Sequence, residues 1–159
     1  MKVAVAADHA GFPLKRQVIE AAQAAGHEVL DLGTNSTEPV DYPDVAVTLG
    51  QALSRGDALR GVLLCGSGAG VAIAANKIFG VRAAVCHDHY SAHQAVEHDD
   101  MNVLALGARV IGPALAMELV TTFLAARYGA EERHARRVHK VQLLEQQFAE
   151  HTDTSARRK

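Results

Sequence analysis

The sequence is poor in the residues that mark several functional classes. It has 2 cysteines in 159 residues, which excludes the cysteine-dense framework of a disulfide-stapled extracellular domain and fits the reducing cytoplasm. Trp is absent and aromatics make up 4%, so the core must come from Ala, Val, Leu and Ile within a hydrophobic fraction of 48%. A formal net charge of −2 provides no cationic field for nucleic acid or an anionic membrane, and neither is expected as a partner. No apolar run approaches the roughly 18 residues of a membrane span. The opening "MKVAVAADHAGF" has too short an apolar run for a signal peptide. No internal repeat is visible. These absences leave a chain suited to one domain with a proper core, expected over residues 1–150. The polar "HTDTSARRK" at 151–159 is expected to be a flexible tail.

What is present is alternation. Apolar runs "KVAVAA" (2–7), "EVLDLG" (28–33), "GVLLCG" (61–66), "VRAAVC" (81–86) and "NVLALG" (102–107) read as strands. Helical patterns fill the intervals: one from Pro13, tolerated in a first turn, to Gly26, then 43–55, 69–77, 90–98, 112–127 and 131–149. Strands separated by helices predict βαβ units with parallel strands and right-handed crossovers. Continuous rather than alternating apolar strands predict a sheet covered on both faces. The expected fold is an α/β doubly wound sandwich on five parallel strands. In such sheets ligands sit beyond the carboxyl ends of the strands. Asp8–His9, Cys65–Gly70, His87–His89 and Gly107–Arg109 all follow predicted strands.

The stretch "CGSGAGVAIAANK" (65–77) concentrates the chemistry. Its glycines, Gly66, Gly68 and Gly70, do not make a dinucleotide fingerprint, because Val71 stands where that motif needs glycine. Nor does Gly-Lys-Ser/Thr follow, as a Walker loop requires. The loop reads either as a tight strand-to-helix turn or as a cradle of backbone N–H groups for an anion. Cys65 at its mouth is either an inert buried hydrophobe or a nucleophile or base. A free thiol has a pKa of about 8.5, and a helix N-terminus can depress it. Asp8 can cap a helix or serve the site. "CHDHYSAHQAVEHDD" offers His87, His89, His93 and His98, but no Cys or Glu spacing completes a zinc set. His98, at a helix end, is the best placed of these for acid–base work. In "EERHARRVHK", Arg133 and Arg137 lie one turn apart beside an apolar stripe of Val138, Val141 and Phe148. They are either a basic surface face or a pair of forks for a phosphate, to which Arg109 would add charge.

"ADHAGFPLK", "DYPD", "CGSGAGVAIAANKIFGVRAA", "HDDMNVLALGARVIG" and "RHARR" together resemble the ribose-5-phosphate isomerase B family, over about residues 2–148. Allose-6-phosphate and galactose-6-phosphate isomerases belong to the same wider group. The resemblance implies a Rossmann-like α/β/α sandwich, active as a homodimer or a dimer of dimers with shared sites. The last helix would pack on the partner subunit. It implies interconversion of ribose 5-phosphate and ribulose 5-phosphate with no metal and no organic cofactor. Cys65 would move a proton between adjacent sugar carbons through a cis-enediolate. Amides of Gly66, Ser67, Gly68, Ala69 and Gly70 would hold the oxyanion. His98 would open the furanose ring, and Asp8 would hold sugar hydroxyls. His9, Arg109, Arg133 and Arg137 would bind the phosphate, some from across the dimer interface. Asp99 departs from the asparagine many members carry, and an ionised Asp cannot donate a hydrogen bond. Two other readings stay open: an isomerase of another sugar phosphate, from tetrose to hexose, and a non-catalytic sugar-phosphate-binding module.

Overall fold

The computed structural model describes residues 1–156, with side chains described as far as residue 149. Strands β1 (Lys2–Ala7), β2 (Glu28–Gly33), β3 (Arg60–Cys65), β4 (Ala83–Val85) and β5 (Val103–Gly107) form one parallel sheet in the order β2-β1-β3-β5-β4. They alternate with α1 (Phe12–Ala24), α2 (Tyr42–Ser54), α3 (Ala69–Ala75), α4 (His89–Asp99), α5 (Pro113–Ala125) and a long α6 (Glu132–Ala156).

Because side chains alternate along a strand, each strand supplies both faces. Val3, Val5, Val62, Leu64, Leu104 and Leu106 pack against α1, α4 and α5. Ala4, Ala6, Leu63, Val103 and Ala105 point the other way, onto α2 and α3. The second set is smaller, so α2 and α3 can sit close to the sheet. The result is the three-layer α/β/α sandwich that the continuous apolar runs predict.

Several boundaries differ from expectation for local reasons. The strand expected over 81–86 is only Ala83–Val85, because β4 is an edge and pairs with β5 alone. Its outer side is occupied by one side chain: Asn76 accepts from the Ala83 N–H and donates to the Ala83 carbonyl, both at 2.8 Å. Asn76 thus substitutes for a missing strand, and α3 ends at Ala75 rather than at residue 77. The helix expected over 131–149 continues to Ala156, so the tail expected from 151 begins as helical backbone; 157–159 lie outside the described residues. Lys15 is charged, yet it is 3% exposed. Its ammonium pairs with Asp31 and donates to the Thr34 carbonyl at 2.9 Å, tying α1 to the end of β2. No described helix is long and apolar enough to cross a membrane.

Candidate active site

The sheet order fixes where a ligand can enter. From β1 the chain turns to β2 on one side, and β3 lies on the other, so the crevice between the carboxyl ends of β1 and β3 is a switch point. Ala7 pairs with Leu64, which sets Asp8 beside Cys65. Asp8 is 3% exposed. One carboxylate oxygen accepts from the N–H groups of Ala10 and Gly11, both at 2.9 Å. Asp8 is therefore not the N-cap of α1, a place taken by Gly11; its side chain closes the turn before that helix and lies beside the thiol.

The loop after β3 is shaped by close backbone approach. Gly68 has φ +81°, a left-handed conformation that favours glycine. Gly107, paired with Cys65 in register, lies so near that a β-carbon there would fall 2.7 Å from the Ser67 carbonyl carbon. Two bonds lock the segment: Ala108 N–H to the Cys65 carbonyl at 2.8 Å, and Arg109 N–H to the Gly66 carbonyl at 3.0 Å. Ser67 is exposed, and its hydroxyl accepts from the Ala69 N–H at 3.3 Å. The Arg109 side chain lies along Gly66, and the Tyr42 ring packs at the Gly70 backbone. His9 Nδ1 accepts from the Val40 N–H at 3.2 Å, holding the loop before α2 over the same mouth.

The thiol departs from expectation. The start of a helix suggested a depressed pKa, but burial pushes the Cys65 thiol up, and its hydrogen bond to the Asp8 carboxylate pushes it further. Amides of Ser67 and Gly68 act in the opposite direction and are outweighed. Burial disfavours the charged thiolate first, and the carboxylate in contact adds to it, so the amide donors at the start of α3 are outweighed. Cys65 rests as a thiol with both an acceptor and oxyanion-type donors around it. Cys86 is 2% exposed and pushed up to about 11, chiefly by burial, so it is an inert core residue.

The remaining predicted residues form a second group elsewhere. Val103 pairs with Gly61 and Gly107 with Cys65. Four residue steps of about 3.3 Å put the two sheet edges roughly 13 Å apart. His98 and Asp99 end α4 just before β5 begins, at the edge away from Cys65. His98 Nδ1 is 2.8 Å from the Gln94 side-chain amide nitrogen. Its ring stacks on that of His134 with centroids 4.0 Å apart, which anchors α6 there. Exposed Arg133 pairs with Glu131 at 3.0 Å. Arg137 and Asp99 line one wall of a cavity of about 660 Å³ with Arg82, Val138 and Phe148. One chain therefore brings together Asp8, His9, Cys65, the Gly66–Gly70 loop and Arg109, and leaves His98, Asp99, Arg133 and Arg137 apart from them.

Among the described residues, no group of three or more His, Cys, Asp or Glu side chains is disposed to hold a metal ion. Of the histidines after β4, His89 and His93 lie beside surface carboxylates, while His87 bonds to the backbone of β5. Sequence reasoning missed Tyr42 as a site neighbour. Its place within "DYPD" was visible, but its contact with Gly70 depends on how α2 and α3 pack.

Comparison with known proteins identifies the family of the chain. The model of the Ribose/Galactose Isomerase family matches residues 3–141. Ribose-5-phosphate isomerase B of Escherichia coli is 43% identical over 145 residues, 91% of this chain and 97% of that one. D-erythrulose-4-phosphate isomerase of Pectobacterium atrosepticum is 46% identical over 129 residues, 80% of this chain and 85% of that one. The solved structure of Clostridium thermocellum ribose-5-phosphate isomerase B superposes with a TM-score of 0.90 at 44% identity, covering 93% of this chain and 99% of that one. The sheet order, the site at its switch point and these likenesses converge: the chain is an isomerase and belongs to the ribose/galactose isomerase family.

Proposed function

We propose that the chain is an aldose–ketose isomerase interconverting D-ribose 5-phosphate and D-ribulose 5-phosphate. The observation that carries this reading is the half-buried Cys65 sulfur between the Asp8 carboxylate and the amides of Ser67 and Gly68. With the sugar open, the thiolate of Cys65 takes the proton from the carbon next to the aldehyde. The electron pair forms the enediolate, and negative charge collects on the former carbonyl oxygen. Amides of the Gly66–Gly70 loop stabilise that charge, a contribution of about 3 kcal/mol per well-placed donor. A proton passes between the two oxygens, and the new thiol returns its proton to the terminal carbon, leaving the ketose and the thiolate. Protonation state limits this step, since the resting thiol must first ionise.

His98, Asp99, Arg133 and Arg137 enter from a second copy. Their separation from Cys65 within one chain supports a homodimer, alone or paired into a dimer of dimers, in which His98 of one protomer opens the ring bound at Cys65 of the other. The exposed apolar residues Val141, Leu143, Leu144 and Phe148 of α6 suit burial against that partner. Arg109 and His9 would meet the phosphate from the Cys65 side. Residues 1–150 then act as one catalytic domain, and a free catalytic thiol suits a reducing cytoplasm.

The likeness to D-erythrulose-4-phosphate isomerase favours a second reading, a shorter sugar phosphate. Purified protein with EDTA and ribose 5-phosphate is expected to yield ketose, and Cys65→Ala to lose that activity while still binding the sugar phosphate. No turnover by the folded wild type refutes the first reading. Comparing kcat/KM across tetrose, pentose and hexose phosphates decides between the two.

A further inference from the structure

His87 lies outside the group of residues that would touch the substrate, yet it holds the strand on which the Cys65 loop is built. Strand β4 stops pairing at Val85, opposite Ala105, while β5 runs on to Gly107. The outward N–H of Gly107 would have no strand acceptor there. The His87 side chain supplies one: Nε2 accepts from Gly107 N–H at 3.0 Å. Nε2 as acceptor places the ring proton on Nδ1.

Gly107 in turn fixes the chemistry. It pairs with Cys65 and abuts the Ser67 backbone. The next two N–H groups clamp the carbonyls of Cys65 and Gly66 at 2.8 and 3.0 Å. From the last core residue of β5 to the donor loop, each link is a backbone contact with no flexible side chain between. A shift at Gly107 therefore moves Cys65, Ser67 and Gly68 together. Resting on the isomerase reading, we infer that His87 is a positioning residue, whose neutral imidazole extends the β5 hydrogen-bond ladder and so keeps the Cys65 sulfur and the Ser67 and Gly68 amides in reactive register.

The test compares wild type with His87→Leu and His87→Gln. Leu removes the acceptor at similar bulk, whereas the Gln carbonyl oxygen stands three bonds from Cβ, as Nε2 does. Leu is expected to lower kcat on ribose 5-phosphate roughly ten- to a hundred-fold with KM changed less than about two-fold, and Gln to recover most of that loss. A second readout needs no turnover: the pH dependence of Cys65 alkylation by iodoacetamide, followed on the peptide carrying Cys65. Its midpoint rises in the Leu variant, where the two amides are less well held, and stays at the wild-type value in the Gln variant. Should the Leu variant lose its thermal transition, His87→Asn, polar but one bond too short, takes its place with the same expectations. Wild-type kcat and alkylation in the Leu variant would overturn the inference, as would equal losses in Leu and Gln. If wild type leaves sugar phosphates untouched, the isomerase reading fails, and the alkylation profiles still decide the role of His87.

Discussion

The two ends of this sheet are built by different means. At the carboxyl edge, Asp8 directly follows β1 while Cys65 and Gly107 end β3 and β5, adjacent strands whose registers are fixed by main-chain hydrogen bonds. At the amino edge, His98, Asp99, Arg133 and Arg137 ride on helix surfaces, and α6 is anchored mainly through His134 and Val138. Backbone ladders hold atoms within tenths of an ångström, which suits proton transfer. Helix-borne arginines tolerate looser placement, which suits gripping a phosphate whose charge is diffuse. On the proposed reading, the proton transfer at Cys65 belongs to the rigid edge, while His98 and the arginines of α6 reach it from the adaptable edge of a second copy.

The strongest way to break this comparison is to mix edges. Cys65→Ala and His98→Asn should each lower kcat by roughly two to four orders of magnitude alone. Refolded together, they should recover roughly a quarter of wild-type activity, because half the random dimers are mixed and carry one intact site each. No recovery would mean that both edges serve within one chain. Next in size, Arg137→Ala is expected to raise KM for the sugar phosphate about ten-fold or more with a smaller change in kcat, losing one charge-assisted contact. A kcat effect as large as the KM effect would place Arg137 in the chemistry.

The third test concerns the thiol. Asp8→Asn keeps an oxygen for the Ala10 and Gly11 amides but removes the charge that raises the Cys65 pKa. With the thiolate as the proposed base, the alkaline rise of kcat/KM should move to lower pH; a move to higher pH would show that Asp8 instead helps the thiol ionise. The smallest effect concerns folding. Burial, then the neighbouring His98, holds the His134 imidazole below its ordinary range, with Arg133 and Arg137 adding to this and Glu131 opposing it. The unfolded chain therefore takes up the proton first, so stability present above a pH of about 6.5 declines as pH falls below it. Thermal midpoints between neutral and mildly acidic pH should show that decline, flattened in His134→Leu.

How much of this is legible in the sequence depends on range. "KVAVAA" and "EVLDLG" coincide with β1 and β2 residue for residue, since an apolar run between glycine and polar stops is a local signal. Cys65 and its glycines were found because a strand-to-helix turn is written in consecutive residues. The shortening of β4 was not, because it depends on Asn76 reaching an edge that exists only after the sheet assembles. The direction of the Cys65 shift is hidden for the same reason: the helix beside it is next in sequence, whereas its burial and its contact with Asp8 arise only from packing.

The sequence by itself determined the elements, the parallel sheet they build and the loop that carries the thiol, because period, glycine placement and burial act over a few residues. Only the tertiary structure decided that β5 inserts between β3 and β4, that Asp8 meets Cys65, and that His98 and the arginines of α6 stand at the other edge. Those outcomes depend on which strands become neighbours and which way each helix returns, and such long-range pairings leave no trace in any short window of residues.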